Sequence, residues 1–448
     1  MAEQYGLRRR LGLFSATALV ISNMIGIGIF TTTGFLAGDL GHPAIVLLSW
    51  VVGAICALLG AICYSELALN FPASGGEYLY LSRAYGPTLG FITGWVSLLA
   101  GFSAPIAAAA LSCAGYVLFL FSGGPRPSEF SSTFHLGSQQ AIACGLVALF
   151  SVWNLFGIQR SARLQNTLTG LKVLLLLVFL LSGVLFGHGD WHNLFRTAAR
   201  WTATPLWEQF AVSLFWIYVS YSGWNAATYV AEEIENPGYT LPRALTIGTV
   251  LVAILYFSLN LVFLYSSSLE SMKGVVAIGA FAASRLFGQQ IAGVFSLLMA
   301  CALLSTVNAM IIAGPRVYYA MARDGQFFSS LAAVHPRWRT PVNAILAQAI
   351  CALVLIFTPF PQLVIYIGFT LNLFAVLSVA SLFLFRRKSG WRKLPTVSFA
   401  YPLIPSLFVA VGMWMTIEGF LQKPLISLIT VLTLLTGALL YRWRRSRQ

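Results

Sequence analysis

The most regular feature of the chain is an alternation of long apolar segments with short polar gaps. About twelve of the segments reach the roughly 20 apolar residues that a membrane-spanning helix needs. Their approximate limits are 11–37, 43–70, 86–121, 139–157, 165–187, 208–231, 242–266, 289–322, 341–359, 362–385, 401–421 and 424–441. The pattern predicts an all-α polytopic membrane protein.

Composition supports this prediction. The 448 residues are 58% hydrophobic and only 9% charged, whereas a soluble domain carries about 25% charged residues. No gap is long enough for a soluble module and no GxxxxGK[ST] loop occurs, so we expect a single transmembrane transporter domain over 1–448 that does not hydrolyse ATP. The sequence contains neither a catalytic cluster nor cysteines at metal-ligand spacing. An enzyme, a cofactor and a metal site are therefore not expected.

The net charge of +14 would suggest nucleic acid as the partner of a soluble chain. Here the cations gather in the short gaps, at Arg8–Arg10, Arg160, Arg163, Arg386–Lys388 and the C-terminal arginines. Basic gaps of a polytopic protein face the cytoplasm. The charges therefore predict a multi-pass protein of the cytoplasmic (inner or plasma) membrane with both termini cytoplasmic, and no nucleic-acid partner.

Two of the apolar segments carry a weak point near the middle. Gly26 and Gly28 interrupt the first segment, and the run Tyr218–Asn225 interrupts the sixth. Glycine costs a helix about 1 kcal/mol relative to alanine. Small residues also allow close helix–helix packing, but paired interruptions in two halves favour a substrate site at the midplane of an inverted-repeat transporter.

A pair of broken helices can bind a zwitterion without a charged side chain. The amides of Gly26, Ile27 and Gly28 would attract a carboxylate, and the carbonyls of Val219, Ser220 and Tyr221 would accept from an ammonium group. Ile25, Gly223 and Asn225 complete the predicted substrate-binding set. Tyr221 and Trp224 are predicted gating residues, with aromatic packing as the alternative.

Six short motifs follow one another along the chain, at Met24–Phe30, Tyr64–Leu67, Phe71–Tyr78, Ser222–Asn225, Glu232–Pro237 and Gly314–Gly325. Together they resemble motifs of the amino acid–polyamine–organocation (APC) superfamily, and of its L-type amino acid transporter branch in particular. The resemblance implies a LeuT-like fold that works by alternating access. Two inverted five-helix repeats, about 11–187 and 208–385, would precede two extra helices at about 401–441.

Lys172, in the fifth segment, matches the lysine that replaces sodium in L-type transporters. The resemblance implies contacts with carbonyls near Ile25 and with the hydroxyl of Ser305 or Thr306, and it implies sodium independence. A lysine snorkelling to the membrane surface is the alternative. Glu66, Glu77 and Glu232–Glu235 are expected to pair with basic residues near the cytoplasmic face.

Two departures from the family pattern affect specificity. Ile27 stands where the family has serine or another small residue, and Val219 stands where animal relatives often have an aromatic residue. The outer loop also lacks the cysteine that bridges animal light chains to a heavy subunit, so we expect no disulfide-linked heavy subunit.

These features predict secondary active transport of amino acids, most readily small to medium neutral L-amino acids. The mechanism would be sodium-independent exchange or proton symport, with the amino acid, protons and the lipid bilayer as partners. The alternative is a polyamine or cationic amino acid transporter or antiporter, which would need an acidic residue facing the pocket. A receptor-like sensor on the same scaffold would bind amino acid without flux.

Overall fold

Long α-helices account for most of the computed structural model. It describes residues 11–72, 75–122, 137–156, 158–338 and 340–446, without the side chains of 122, 158–164, 166, 232 and 233. Arg8–Arg10 and the side chains of Arg160, Arg163, Glu232 and Glu233 therefore lie outside the described part.

The described chain forms eighteen α-helices. They are α1 (Leu13–Met24), α2 (Ile27–Leu40), α3 (Pro43–Asn70), α4 (Glu77–Tyr85), α5 (Pro87–Val96), α6 (Ala104–Ser122), α7 (Ser138–Leu155), α8 (Ile158–Phe186), α9 (Leu206–Tyr221), α10 (Pro237–Ser266), α11 (Leu269–Met272), α12 (Ile278–Phe287), α13 (Gln289–Arg323), α14 (Val342–Leu355), α15 (Phe360–Phe385), α16 (Pro395–Ser398), α17 (Leu403–Gln422) and α18 (Pro424–Arg445). A π-helical turn, Ser97–Ser103, joins α5 to α6, and a 3-10 segment, Ala226–Glu233, follows α9.

Ten helical stretches in the described chain are long and apolar enough to cross a membrane. The sixth and ninth predicted segments instead form α9 and α14, of 16 and 14 residues. Both are shorter than the roughly 20 residues of a full span. α9 is short because its helix ends at the predicted interruption. The count of twelve spans and the inverted repeat stay predictions.

Small side chains allow the central helices to approach closely. Ala107, Ala108, Ala109 and Ala110 of α6 are all fully buried, and α6 packs along α13. Elsewhere α10 packs on α1 and α3, and α2 packs on α9. Apolar side chains gain little from association inside a bilayer, so such close packing is a main source of helix association there.

One buried ion pair fastens the end of α3 to the chain after α15. Glu66 is fully buried and accepts from Arg386 Nε (2.7 Å) and Nη2 (2.5 Å). Trp391 Nε1 and the Leu394 amide also donate to it, at 2.8 and 2.9 Å. The expectation that Glu66 pairs with a basic residue is confirmed.

Glu66→Gln tests the strength of this connection. Removing one partner of a buried ion pair costs about 3–5 kcal/mol, so we expect a clear fall in the unfolding temperature of the purified protein in detergent. The control is Glu270→Gln, whose exposed carboxylate pairs with Lys273 at 2.6 Å, because an ion pair open to solvent contributes about 0–1 kcal/mol. Equal shifts in the two variants would contradict a structural role for Glu66.

Candidate functional site

The first predicted interruption is present. α1 ends at Met24 and α2 begins at Ile27, with Ile25 (φ −70°, ψ 94°) and Gly26 (φ −138°, ψ −149°) outside helical geometry. No described side chain caps the first turn of α2. Its amides, including those of Ile27 and Gly28, therefore lack the partners that helix termini need and offer donors to an anion.

The carbonyls released at the end of α1 are hydrogen-bonded by two side chains. Lys172 Nζ donates to the carbonyls of Ile25 (2.6 Å) and Ser22 (3.0 Å). Tyr256 Oη donates to the carbonyl of Met24 at 2.7 Å. An unsatisfied backbone group inside a bilayer costs several kcal/mol. These hydrogen bonds offset that cost and so stabilise the interrupted helix.

Lys172 does not snorkel. Its side chain, on α8, is 1% exposed and points at the first interruption. Ser305 bonds instead with Gln165 Nε2 (3.0 Å) and Thr169 (3.4 Å). The Thr306 hydroxyl is buried with no hydrogen bond to any described residue, and its oxygen would lie 3.8 Å from a Cβ on Gly26. Ser305 and Thr306 thus lie beside the interruption without bonding to Lys172.

The second predicted interruption is also present and touches the first. α9 ends at Tyr221, and Gly223 has φ +101°. A Cβ on Gly223 would stand 2.7 Å from the carbonyl carbon of Asn23, and one on Gly28 would overlap Ser220. Only glycine therefore fits at either crossing point.

Two of the three predicted carbonyls at this interruption are available. The carbonyl of Val219 accepts from the Ser222 amide (3.2 Å) and hydroxyl (2.7 Å). The carbonyls of Ser220 and Tyr221 have no hydrogen bond from the described residues. The acceptor set is therefore smaller than the sequence predicts.

The two predicted gating residues are packed in this conformation. Tyr221 lies against Trp50 and Tyr256, with ring centroids 5.9 and 5.3 Å away, and its hydroxyl donates to the Trp50 carbonyl at 3.3 Å. Trp224 packs edge-on against Tyr64 at 4.7 Å. Their gating role stays a prediction.

Sequence reasoning missed an aromatic stack beside the two interruptions. Phe35 of α2 stacks on Trp216 of α9, with centroids 4.4 Å apart, and Phe360 of α15 lies 5.9 Å from Phe35. All three are almost fully buried. The sequence carries no signal for this stack, because single aromatic residues in apolar helices usually mean ordinary packing.

It also missed a chain of amides below Lys172. Asn154 Nδ2 donates to Asn308 Oδ1 (2.9 Å), and Asn308 Nδ2 donates to Gln165 Oε1 (3.0 Å). This chain joins α7, α13 and α8. A signal was available, since three amide side chains in apolar segments each need a buried partner.

Asn225 points away from the amides of α2. Its Nδ2 donates to Glu77 Oε1 and to Tyr229 Oη, both at 3.3 Å, while Tyr64 Oη donates to the same Glu77 oxygen at 2.7 Å. The basic partner expected for Glu77 is not found among the described ion pairs. Burial raises the pKa of Glu77 to about 7, against the opposing effect of the Tyr64 bond.

The sequence as a whole matches a family of membrane transporters. The family model described as "Amino acid permease" covers residues 11–446. The chain therefore belongs to the amino acid permease family, and the protein is a multi-pass membrane permease for amino acids.

Three relatives represent the similarity. The "Large neutral amino acids transporter small subunit 2" of Mus musculus is 29% identical over 97% of this chain and 81% of its own. The "Asc-type amino acid transporter 1" of Homo sapiens is 28% identical over 97% and 82%. The "Serine/threonine exchanger SteT" of Bacillus subtilis (strain 168) is 27% identical over 100% and 99%.

Gly223→Ala and Gly28→Ala test the contact between the interruptions. Each added Cβ meets backbone or side chain of the other broken helix, and Gly223 also has positive φ, at which a non-glycine residue costs about 1–3 kcal/mol. We expect each variant to lose most substrate binding, measured by ligand-dependent thermal stabilisation in detergent. Gly145→Ala is the control, because a Cβ there meets nothing within 4 Å. Wild-type binding in both test variants would contradict the arrangement.

Proposed function

We propose that this permease carries small to medium neutral L-amino acids without sodium, by exchange or proton symport. The single observation that carries the proposal is the buried Lys172 ammonium on the carbonyls of Ser22 and Ile25. An ammonium group at this position would supply the charge that a bound sodium ion would otherwise bring to the broken helix.

The substrate would lie between the interruptions as a zwitterion. Its carboxylate would accept from the uncapped amides of Ile27 and Gly28, at the positive end of α2. Its ammonium group would donate to the carbonyls of Ser220 and Tyr221. The hydroxyl of Thr306, which has no described partner, adds a polar group next to Gly26.

The names of the relatives support a neutral cargo. Two are named for large neutral amino acids and for serine and threonine. Ile27 and Val219 line the two interruptions with aliphatic side chains, which favours an uncharged substrate side chain over a cationic one. We further propose plasma-membrane placement with cytoplasmic termini, and a chain that works without a disulfide-linked partner.

The test is uptake of labelled neutral amino acids into sodium-free proteoliposomes, with and without unlabelled amino acid inside. Dependence on internal amino acid identifies exchange, and uptake into empty vesicles under an inward proton gradient identifies symport. Uptake of lysine or a polyamine, with none of serine, leucine or alanine, would overturn the neutral cargo.

Lys172→Ala tests the role of the lysine. The substitution leaves two buried carbonyls without their donor, and a hydrogen bond to a charged group contributes about 1.5–3 kcal/mol. We expect uptake to fall by roughly tenfold or more, with monodisperse protein by size exclusion. Lys393→Ala, at an exposed position, is the matched control. Unchanged transport in Lys172→Ala would remove the proposed role.

A further inference from the structure

One carboxyl outside the predicted substrate set bridges three parts of the fold. Glu77 begins α4, and its Oε1 accepts from Tyr64 on α3 at 2.7 Å. The same oxygen accepts from Asn225, next to the second interruption, at 3.3 Å. A change in the protonation of this carboxyl therefore alters a direct hydrogen bond to the broken segment after α9.

The groups that face Glu77 leave its charge without a counterion. Tyr64 of α3, Tyr218 of α9 and Tyr229 of the 3-10 segment surround it, together with Tyr80 of its own helix. α15 also packs on α4 and places the uncharged Ser378 near Tyr64. No lysine, arginine or histidine in the described part of the chain acts on this carboxyl. Phenols are neutral near pH 7, so hydrogen bonds alone hold the ionised form.

The backbone around Glu77 makes its contacts depend on the second interruption. Gly76 has φ +50°, and a Cβ there would overlap the Tyr229 ring. On the other side, Gly223 lies against Asn23 of α1. A movement of the segment 222–225 away from α3 and α4 would therefore break the Asn225 bond on one side of the carboxyl.

We propose that Glu77 is a proton-binding site coupled to movement of the second helix interruption. The carboxyl holds a proton while Tyr64 and Asn225 enclose it, and releases the proton to water when the interruption moves away. This inference rests on the proposed transport function, and it assigns the proton of the symport mechanism to Glu77 and not to Lys172.

The sign of the pH effect follows from linkage. Burial raises the pKa of Glu77 to about 7 in the enclosed state, whereas a solvated glutamate titrates near 4.3. The enclosed state thus binds the proton more tightly, and acid stabilises it. The open state therefore becomes more populated as the pH rises toward about 7. Above that pH its population changes little.

The experiment is amino acid exchange in proteoliposomes with the same pH on both sides, from about pH 5.5 to about pH 8.5. One pH unit corresponds to a factor of ten in a linked equilibrium, so we expect the wild-type rate to rise roughly tenfold or more, with a midpoint near 7. The exchange rate of Glu77→Gln should stay at the low rate that the wild type shows in acid, at every pH.

Tyr64→Phe should raise the midpoint by about one pH unit, because it removes a donor to the ionised carboxylate. Glu270→Gln, at an exposed carboxylate, should keep the wild-type profile.

A spectroscopic titration separates this inference from the cargo assignment. Infrared difference spectra of the protein in lipid report the C=O band of a protonated carboxyl without any transport. A band that titrates near pH 7 in the wild type and is missing in Glu77→Gln supports the site, even if no neutral amino acid is carried. A wild-type pH profile and band retained in Glu77→Gln, or an unmoved midpoint in Tyr64→Phe, would overturn it.

Discussion

The rest of the site depends on how the interrupted first helix is hydrogen-bonded inside a bilayer. A helix that stops at Met24 releases carbonyls that need donors from elsewhere in the protein. Lys172 and Tyr256 supply donors from α8 and α10, and thereby join the interruption to two neighbouring helices. Neither an apolar residue nor a shorter polar one at position 172 could supply both a long reach and several donors.

The contact between the two interruptions follows from this arrangement. With α1 and α2 held apart at Ile25–Gly26, the segment after α9 can cross at van der Waals distance, because Gly28 and Gly223 present no side chain. The crossing brings uncapped amides of α2 and the carbonyls of Ser220 and Tyr221 to the same place. Complementary partial charges at the proposed zwitterion site thus come from backbone groups, and the buried Lys172 side chain lies beside them.

Hydropathy and glycine placement predict the helical class and both interruptions, because each depends on local properties of a short segment. The burial of Lys172 and its contact with Ile25 follow from the family resemblance, and the structure has them. The partners of Ser305, Glu77 and Asn225 do not follow, since hydrogen bonds between helices depend on rotation and depth in the packed bundle. The same limit applies to Phe35, Trp216 and Phe360, whose spacing within each helix is that of ordinary core residues. The short α9 and α14 show why a count of apolar segments differs from a count of full-length helices.

The two interruptions are held by chemically different contacts, and this difference bears on how the protein can move. The first is anchored by a buried ammonium group that bonds two carbonyls, with an amide chain from Gln165 to Asn154 beneath it. The second is anchored at Asn225 by a single oxygen of Glu77, 3.3 Å away and shared with Tyr64. Hydrogen bonds to charged groups of good geometry are about twice as strong as neutral ones. The contact of the second interruption with α3 and α4 at Asn225 would therefore vary with the charge of one carboxyl.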